Sequence, residues 1–209
     1  MVGRGESSGS DLAGLFGPEL RVRRASPFSY VSEAVPPLRP GGSRQLVTTK
    51  GGRPLLDVQI PPELVASRPP VGLQDDLRKT PILLFDMDGR LRARLLLVRG
   101  LPAPFVELEA PEGVPLGRID GQPTSRGMEY GFHSAGRLLL ATLVSPSWPF
   151  GGELRHPEGK PLASVTLLRS TLRMTYRVIR REARFDPMFP LGLAVLLGLE
   201  MAHGKGRFM

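Results

Sequence analysis

The residues best suited to chemistry are in Phe85-Asp86-Met87-Asp88-Gly89, which follows the apolar run Ile82-Leu83-Leu84. An Asp-x-Asp-Gly after an apolar strand could serve a phosphohydrolase, with Asp86 as nucleophile and Asp88 as acid and base. Such a motif continues with Thr, whereas Arg90 stands here. No βαβ alternation follows, as a parallel sheet would require. A tight turn is the better reading, and a phosphohydrolase using Asp86 and Asp88 is kept as an alternative. His133, His156 and His203 stand alone, without a His-Glu-x-x-His or Gly-x-Ser-x-Gly setting, and read as isolated polar residues rather than metal ligands or catalysts. The absence of cysteine rules out thiol catalysis and Cys-based metal sites. With no phosphate loop or dinucleotide fingerprint, no cofactor is expected.

Charge gives a second kind of chemistry. The 209 residues carry 28 Lys+Arg against 20 Asp+Glu, a net charge of +8. Only four of the basic residues are Lys, a bias that fits a GC-rich genome as readily as anion recognition. The excess is concentrated in two segments. Arg169, Arg173, Arg177, Arg180, Arg181 and Arg184 face one acid, Glu182; Arg21, Arg23, Arg24, Arg39, Arg44 and Lys50 face Glu33. Both segments could contact anionic phospholipid at a membrane surface, and the first set supplies the candidate contact residues, because basic clusters are drawn to anionic bilayers. A solvated outer face is the plain alternative. A nucleic-acid module is a third reading, disfavoured because Phe28, Tyr30 and Tyr176 are too few to build a stacking platform.

The elements that must carry these residues are strands. Gly and Pro together number 47, well above the average share of about 12%, which disfavours long helices. Apolar runs alternate with Gly-bearing turns from Gln45 onward. The paired segments are 45–49 with 55–60, 82–86 with 91–98, 105–109 with 116–119, 128–133 with 138–144, and 150–156 with 162–168. Asp-Gly and Gly-Gly supply the backbone that tight hairpins need. Pro111-Glu-Gly-Val-Pro-Leu-Gly-Arg-Ile119 recurs as Pro157-Glu-Gly-Lys-Pro-Leu-Ala-Ser-Val165, and Gly89-Arg90-Leu91 recurs as Gly136-Arg137-Leu138. A unit of two hairpins therefore occurs twice, which predicts a closed barrel of two similar halves rather than a propeller. Parity places Leu91, Ala93, Leu95, Leu97, Val106 and Leu108 inward, and Arg92, Arg94, Glu107 and Glu109 on a shared outer face. Within 171–181 it places Leu172, Met174, Tyr176 and Val178 inward and Arg173 and Arg177 outward.

The end of the chain differs. Leu191 to His203 is apolar on nearly every face, follows Asp186-Pro187, and is followed by Gly204. A helix apolar all round belongs in an interior, and Gly192 and Gly198 would let strands approach it. The apolar run Met188–Leu199 is twelve residues and contains Pro190, short of the roughly 20 needed for a span. The core reading is preferred to a membrane anchor.

This order of elements resembles the tubby C-terminal-like superfamily, including phospholipid scramblases and LURP-one-related proteins. Residues 106–119 are similar to the scramblase hairpin of an apolar strand followed by Pro-x-Gly-x-Pro-Ile-Gly. Residues 186–195 look like the Phe-Pro-Leu entry into the family's last helix. The resemblance implies a barrel of about twelve strands around that helix. The Cys-rich segment and the acidic calcium loop of many scramblases are missing, so it implies a scramblase-like barrel of undefined activity. The expected organisation is a disordered tail at 1–17, a basic Pro-rich lead-in at 18–44, and a barrel domain at 45–203 with its helix at about 188–203. Residues 1–14 lack the apolar stretch of a secretory signal, and the expected setting is cytoplasmic and peripheral to a membrane. The expected role is non-enzymatic binding of anionic lipid or another anionic partner.

Overall fold

A computed structural model describes residues 16–25, 29, 31–65, 81–98, 105–125, 127–145, 151–169 and 174–202. The strands are β1 (Glu19–Arg24), β2 (Ser43–Thr49), β3 (Pro54–Ile60), β4 (Ile82–Asp86), β5 (Leu91–Val98) and β6 (Phe105–Glu109). They continue as β7 (Pro115–Thr124), β8 (Gly127–Ser134), β9 (Leu139–Ser145), β10 (Gly151–Arg155), β11 (Pro161–Arg169) and β12 (Met174–Arg180). A single short turn of helix, α1 (Pro62–Val65), follows β3, and α2 (Met188–Ala202) ends the described chain. Each strand pairs with its successor and β1 pairs with β12, giving a closed antiparallel barrel of twelve strands. Closure leaves no free sheet edge.

Five turns share one construction. In 49–53, 86–90, 110–114, 134–138 and 156–160, the first residue's N–H donates to the fifth carbonyl, and the fourth N–H donates to the first carbonyl. Gly52, Gly89, Gly113, Arg137 and Gly159 hold the fourth position, all at positive φ. The ladder register slips beside each turn, as a bulge at such a residue requires. In the fourth turn, then, the positive φ falls on Arg137, one residue after the glycine expected to carry it. The strand meander puts all five turns at one end of the barrel.

Most of the inward faces follow the expected parity: Ala93, Leu95, Leu97, Val106, Leu108, Tyr176 and Val178 are buried. Leu91, expected with them, is only half-buried beside the register shift next to the 86–90 turn, and Leu172 and the Met174 side chain lie outside what is described. The buried faces surround α2, whose Met188, Phe189, Leu191, Leu193, Ala194, Val195, Leu197 and Leu199 are all at most 3% exposed. The Asp186 side chain caps the helix by accepting from the Met188 N–H at 2.8 Å. Phe189 stacks on Phe185 and meets Phe132 edge-on. Gln45 Nε2 donates to the Val195 carbonyl at 3.2 Å and the Tyr176 hydroxyl to that of Leu197 at 3.3 Å, so two wall side chains hold the helix by its backbone. A Cβ at Gly198 would lie 3.1 Å from Gln45 Nε2, and one at Gly192 would lie 3.1 Å from Leu108; both glycines admit the wall. No helix among the described residues is long and apolar enough to cross a membrane.

The lead-in expected at 18–44 is not a lead-in at its start. Glu-Leu-Arg-Val-Arg-Arg alternates, Leu20 and Val22 are 3% and 1% exposed, and β1 is the strand that closes the barrel between β12 and β2. Phe16, expected within the tail, joins the interior core at 4% exposure; residues 1–15 lie outside the described residues. The Pro-rich part, 31–42, lies over the outer face of β3 and the β4–β5 turn. There Gln59 donates to the Pro36 carbonyl at 2.7 Å, and a Cβ at Gly89 would strike the Ala34 carbonyl. The repeated halves are β4–β7 and β8–β11. The four strands outside the repeat, β12, β1, β2 and β3, form one contiguous sector.

Candidate functional site

The two basic segments of the sequence meet at the point where the barrel closes. With Leu20 and Val22 turned inward, Arg21 and Arg23 face out; with Tyr176 and Val178 inward, Thr175 and Arg177 face out. In the ladder Arg21 stands directly opposite Arg177. Thr48 lies beyond Arg21 on β2, and Thr166 lies beyond Arg177 on β11. A row Thr48, Arg21, Arg177, Thr166 therefore crosses four strands on the outer face.

Like charges directly opposite in a sheet are destabilising, and little offsets this pair. The nearest carboxylate to Arg21 is Glu19 at 3.8 Å, and no ion pair joins Arg177 or Arg23 among the described residues. Two guanidinium forks on adjacent strands can share one tetrahedral or planar oxyanion. The half-buried Thr166 adds a hydroxyl donor at one end, whereas Thr48 is buried at 2% exposure and does not.

The six arginines singled out from 169–184 do not form one patch. Arg177 lies in the row. Arg180, at the end of β12, bonds the Phe16 carbonyl at 3.3 Å and so ties down the start of the chain. Arg181 is exposed and 3.6 Å from Glu153, which also pairs with Arg155 at 2.7 Å. Arg184 is exposed in the turn before α2, where its N–H and charge help Lys160 hold the Glu182 carboxyl below its ordinary range. Arg169 ends β11 at the far end of the barrel, and Arg173 lies outside the described residues. Of the N-terminal set, Arg39 pairs with Glu63 at 3.0 Å and Arg44 with fully buried Asp57 at 2.8 Å. Arg21, Arg23, Arg24 and Lys50 remain; the two-residue alternation of 19–24 marks Arg21 and Arg23 as one strand face.

The other candidates have structural work. Asp86 Oδ1 accepts from the N–H groups of Asp88 (3.0 Å) and Arg90 (2.9 Å), while Oδ2 accepts from Arg92 at 2.7 Å. Burial opposes its ionisation, but those donors and the Arg92 charge together hold the carboxyl below its ordinary range. Asp86 thus has its lone pairs directed into its own turn, and Asp88 is exposed at the tip. His133 lies 3.3 Å from Asp120, which also pairs with Arg118. The His156 ring accepts from the Glu158 N–H at 3.3 Å. His203 lies outside the described residues.

The fold has a solved counterpart. The X-ray structure of a protein from Arabidopsis thaliana superposes with a TM-score of 0.50, at 13% identity, covering 92% of this chain and 97% of that one. It is a likeness of fold. No protein-family model matches the chain, and no curated protein matches it in sequence.

Proposed function

We propose that this is a non-enzymatic, scramblase-like barrel of the tubby C-terminal-like kind, related to the LURP-one proteins, which binds an anionic lipid headgroup or another anionic partner. The observation that carries the anion reading is Arg21 opposite Arg177. A fold that brings two cations into register without a carboxylate between them gains stability when an oxyanion occupies the gap. The family part of the reading is supported by the twelve-strand barrel around a buried C-terminal helix and by the hairpin residues 106–119. A cytoplasmic, membrane-peripheral setting goes with it.

The test uses the full chain and the variant Arg21→Gln/Arg177→Gln. Retention on vesicles of phosphatidylcholine with phosphatidylserine is expected to fall several-fold in the variant if the anion is a headgroup. If it is a soluble oxyanion, inorganic phosphate is expected to raise the melting temperature of the wild type and not of the variant. Identical behaviour of the two proteins in both measurements would reject the site.

A further inference from the structure

The five equivalent turns differ at one exposed position. Their fifth residues are, in order around the rim, Arg53, Arg90, Val114, Leu138 and Lys160. Three are cations, and the two on neighbouring hairpins are apolar. Val114 is 52% exposed, Leu138 is 68% and the adjoining Leu139 is 37%; these are the large hydrophobic side chains left exposed among the described residues. The turns of 110–114 and 134–138 are neighbours because β7 pairs with β8. An apolar point thus projects from one sector of one rim, with Arg90 on one side, Arg137 within it, and Lys160, Arg181 and Arg184 on the other.

The rim is not uniformly basic. Asp88, Glu112 and Glu158 are exposed in the same turns, and Lys160 pairs with Glu182. With Arg181 also paired to Glu153, Arg53, Arg90, Arg137 and Arg184 stand against those three acids.

We propose that this rim is a membrane-docking edge: Val114, Leu138 and Leu139 enter the headgroup–acyl boundary of an anionic bilayer while the flanking arginines lie in the headgroup layer. Charge decides for a bilayer over a protein groove. Apolar tips flanked by cations fit a surface that is oily within and negative at its face. The inference rests on the membrane-peripheral reading above for its choice of partner, but not on the seam arginines. Those lie on the opposite wall, so the two surfaces can be altered separately.

The chain contains no cysteine, so Leu138→Cys can carry an environment-sensitive dye, with exposed Glu129→Cys on the outer wall as control. Addition of phosphatidylserine-containing vesicles is expected to shift the dye at 138 to the blue and leave that at 129 unchanged. Val114→Ser/Leu138→Ser is expected to lower vesicle partitioning about tenfold, and Arg21→Gln/Arg177→Gln to leave the dye shift in place. Four results would overturn the docking edge: vesicle-bound protein whose dye at 138 stays in water, a full chain that does not bind the vesicles, a serine variant that binds like the wild type, or a blue shift driven by protein concentration alone. The last would make the rim a contact between copies. Loss of phosphate protection in the seam variant, with the dye shift intact, would leave both readings standing.

Discussion

Two walls of the same barrel treat arginine in opposite ways. On the β4–β8 wall the arginines are answered. Arg94 stands opposite Glu109, and Arg118 stands opposite Glu107. Arg118 also pairs with Asp120 and lies 3.7 Å over the Phe105 ring, and Arg92 grips Asp86. On the β12–β1 seam an arginine is answered by an arginine. Both walls use the same strand chemistry of apolar residues inward and charges outward, so folding explains neither difference. The first wall is built as an internal lattice of opposite charges, and the second leaves its charge available. That contrast separates charge serving stability from charge serving a ligand.

The largest expected effect tests the answered wall. Asp86→Ala removes the acceptor for two N–H groups and for Arg92, at a residue 5% exposed, and should lower unfolding free energy by about 2–4 kcal/mol. Its pH dependence has a definite sign. The folded carboxyl lies below its ordinary value of 3.8, so its contribution is present above that value and lost as pH falls through the folded pKa. Chemical denaturation at neutral pH and near pH 3 should show the gap between wild type and variant narrowing in acid. A variant as stable as the wild type at neutral pH would remove the turn staple from the account. Asp57 provides the contrast: burial pushes its carboxyl above the ordinary range against the Gln59 hydrogen bond and the Arg44 charge. It therefore opposes folding once ionised, and its cost is relieved as pH falls.

Exchanging charge between the walls sharpens the comparison further. Arg177→Glu would face Arg21 with a carboxylate and is expected to stabilise the barrel by about 0.5–1 kcal/mol while removing anion binding. Glu107→Arg would face Arg118 with a like charge and is expected to destabilise it by a similar amount. Thermal melting of the pair should move in opposite directions. Movement in the same direction would mean that the two walls do not differ in the way proposed.

The walls were not equally legible in the sequence. Hairpin strands announced themselves by alternation and by Gly-bearing turns, and β4, β5 and β6 have the expected bounds because both signals fall inside them. Inward and outward residues of β5 and β6 followed from parity alone. The partner of each outer charge did not. Glu107 faces Leu96 on β5 and meets Arg118 on its other flank, because register is set by turn length and bulges as much as by the alternating face. The seam was hidden for a different reason. β1 has no hairpin partner next to it in sequence, and its two neighbours are contributed by residues 43–49 and 174–180. No local signal joins such distant strands, so two basic segments read as separate places although they share one row.

The smallest expected effect concerns the rim that both walls share. Four of its five turns put glycine at the left-handed position, and the fifth puts Arg137 there at φ 64°. A left-handed conformation costs an L-residue roughly 1–2 kcal/mol, which glycine avoids. Glycine loses more freedom on folding, which offsets part of that gain. Arg137→Gly should therefore stabilise the barrel by about 0.5–1 kcal/mol, read as a small rise in melting temperature. The same change removes a cation from beside Leu138. If Arg137 is there only as an imperfect turn residue, vesicle binding is unaffected and stability rises. A docking edge makes the two readouts diverge, with a more stable barrel that partitions less well into anionic vesicles, so a residue poorly chosen for its turn is explained by what lies outside the molecule.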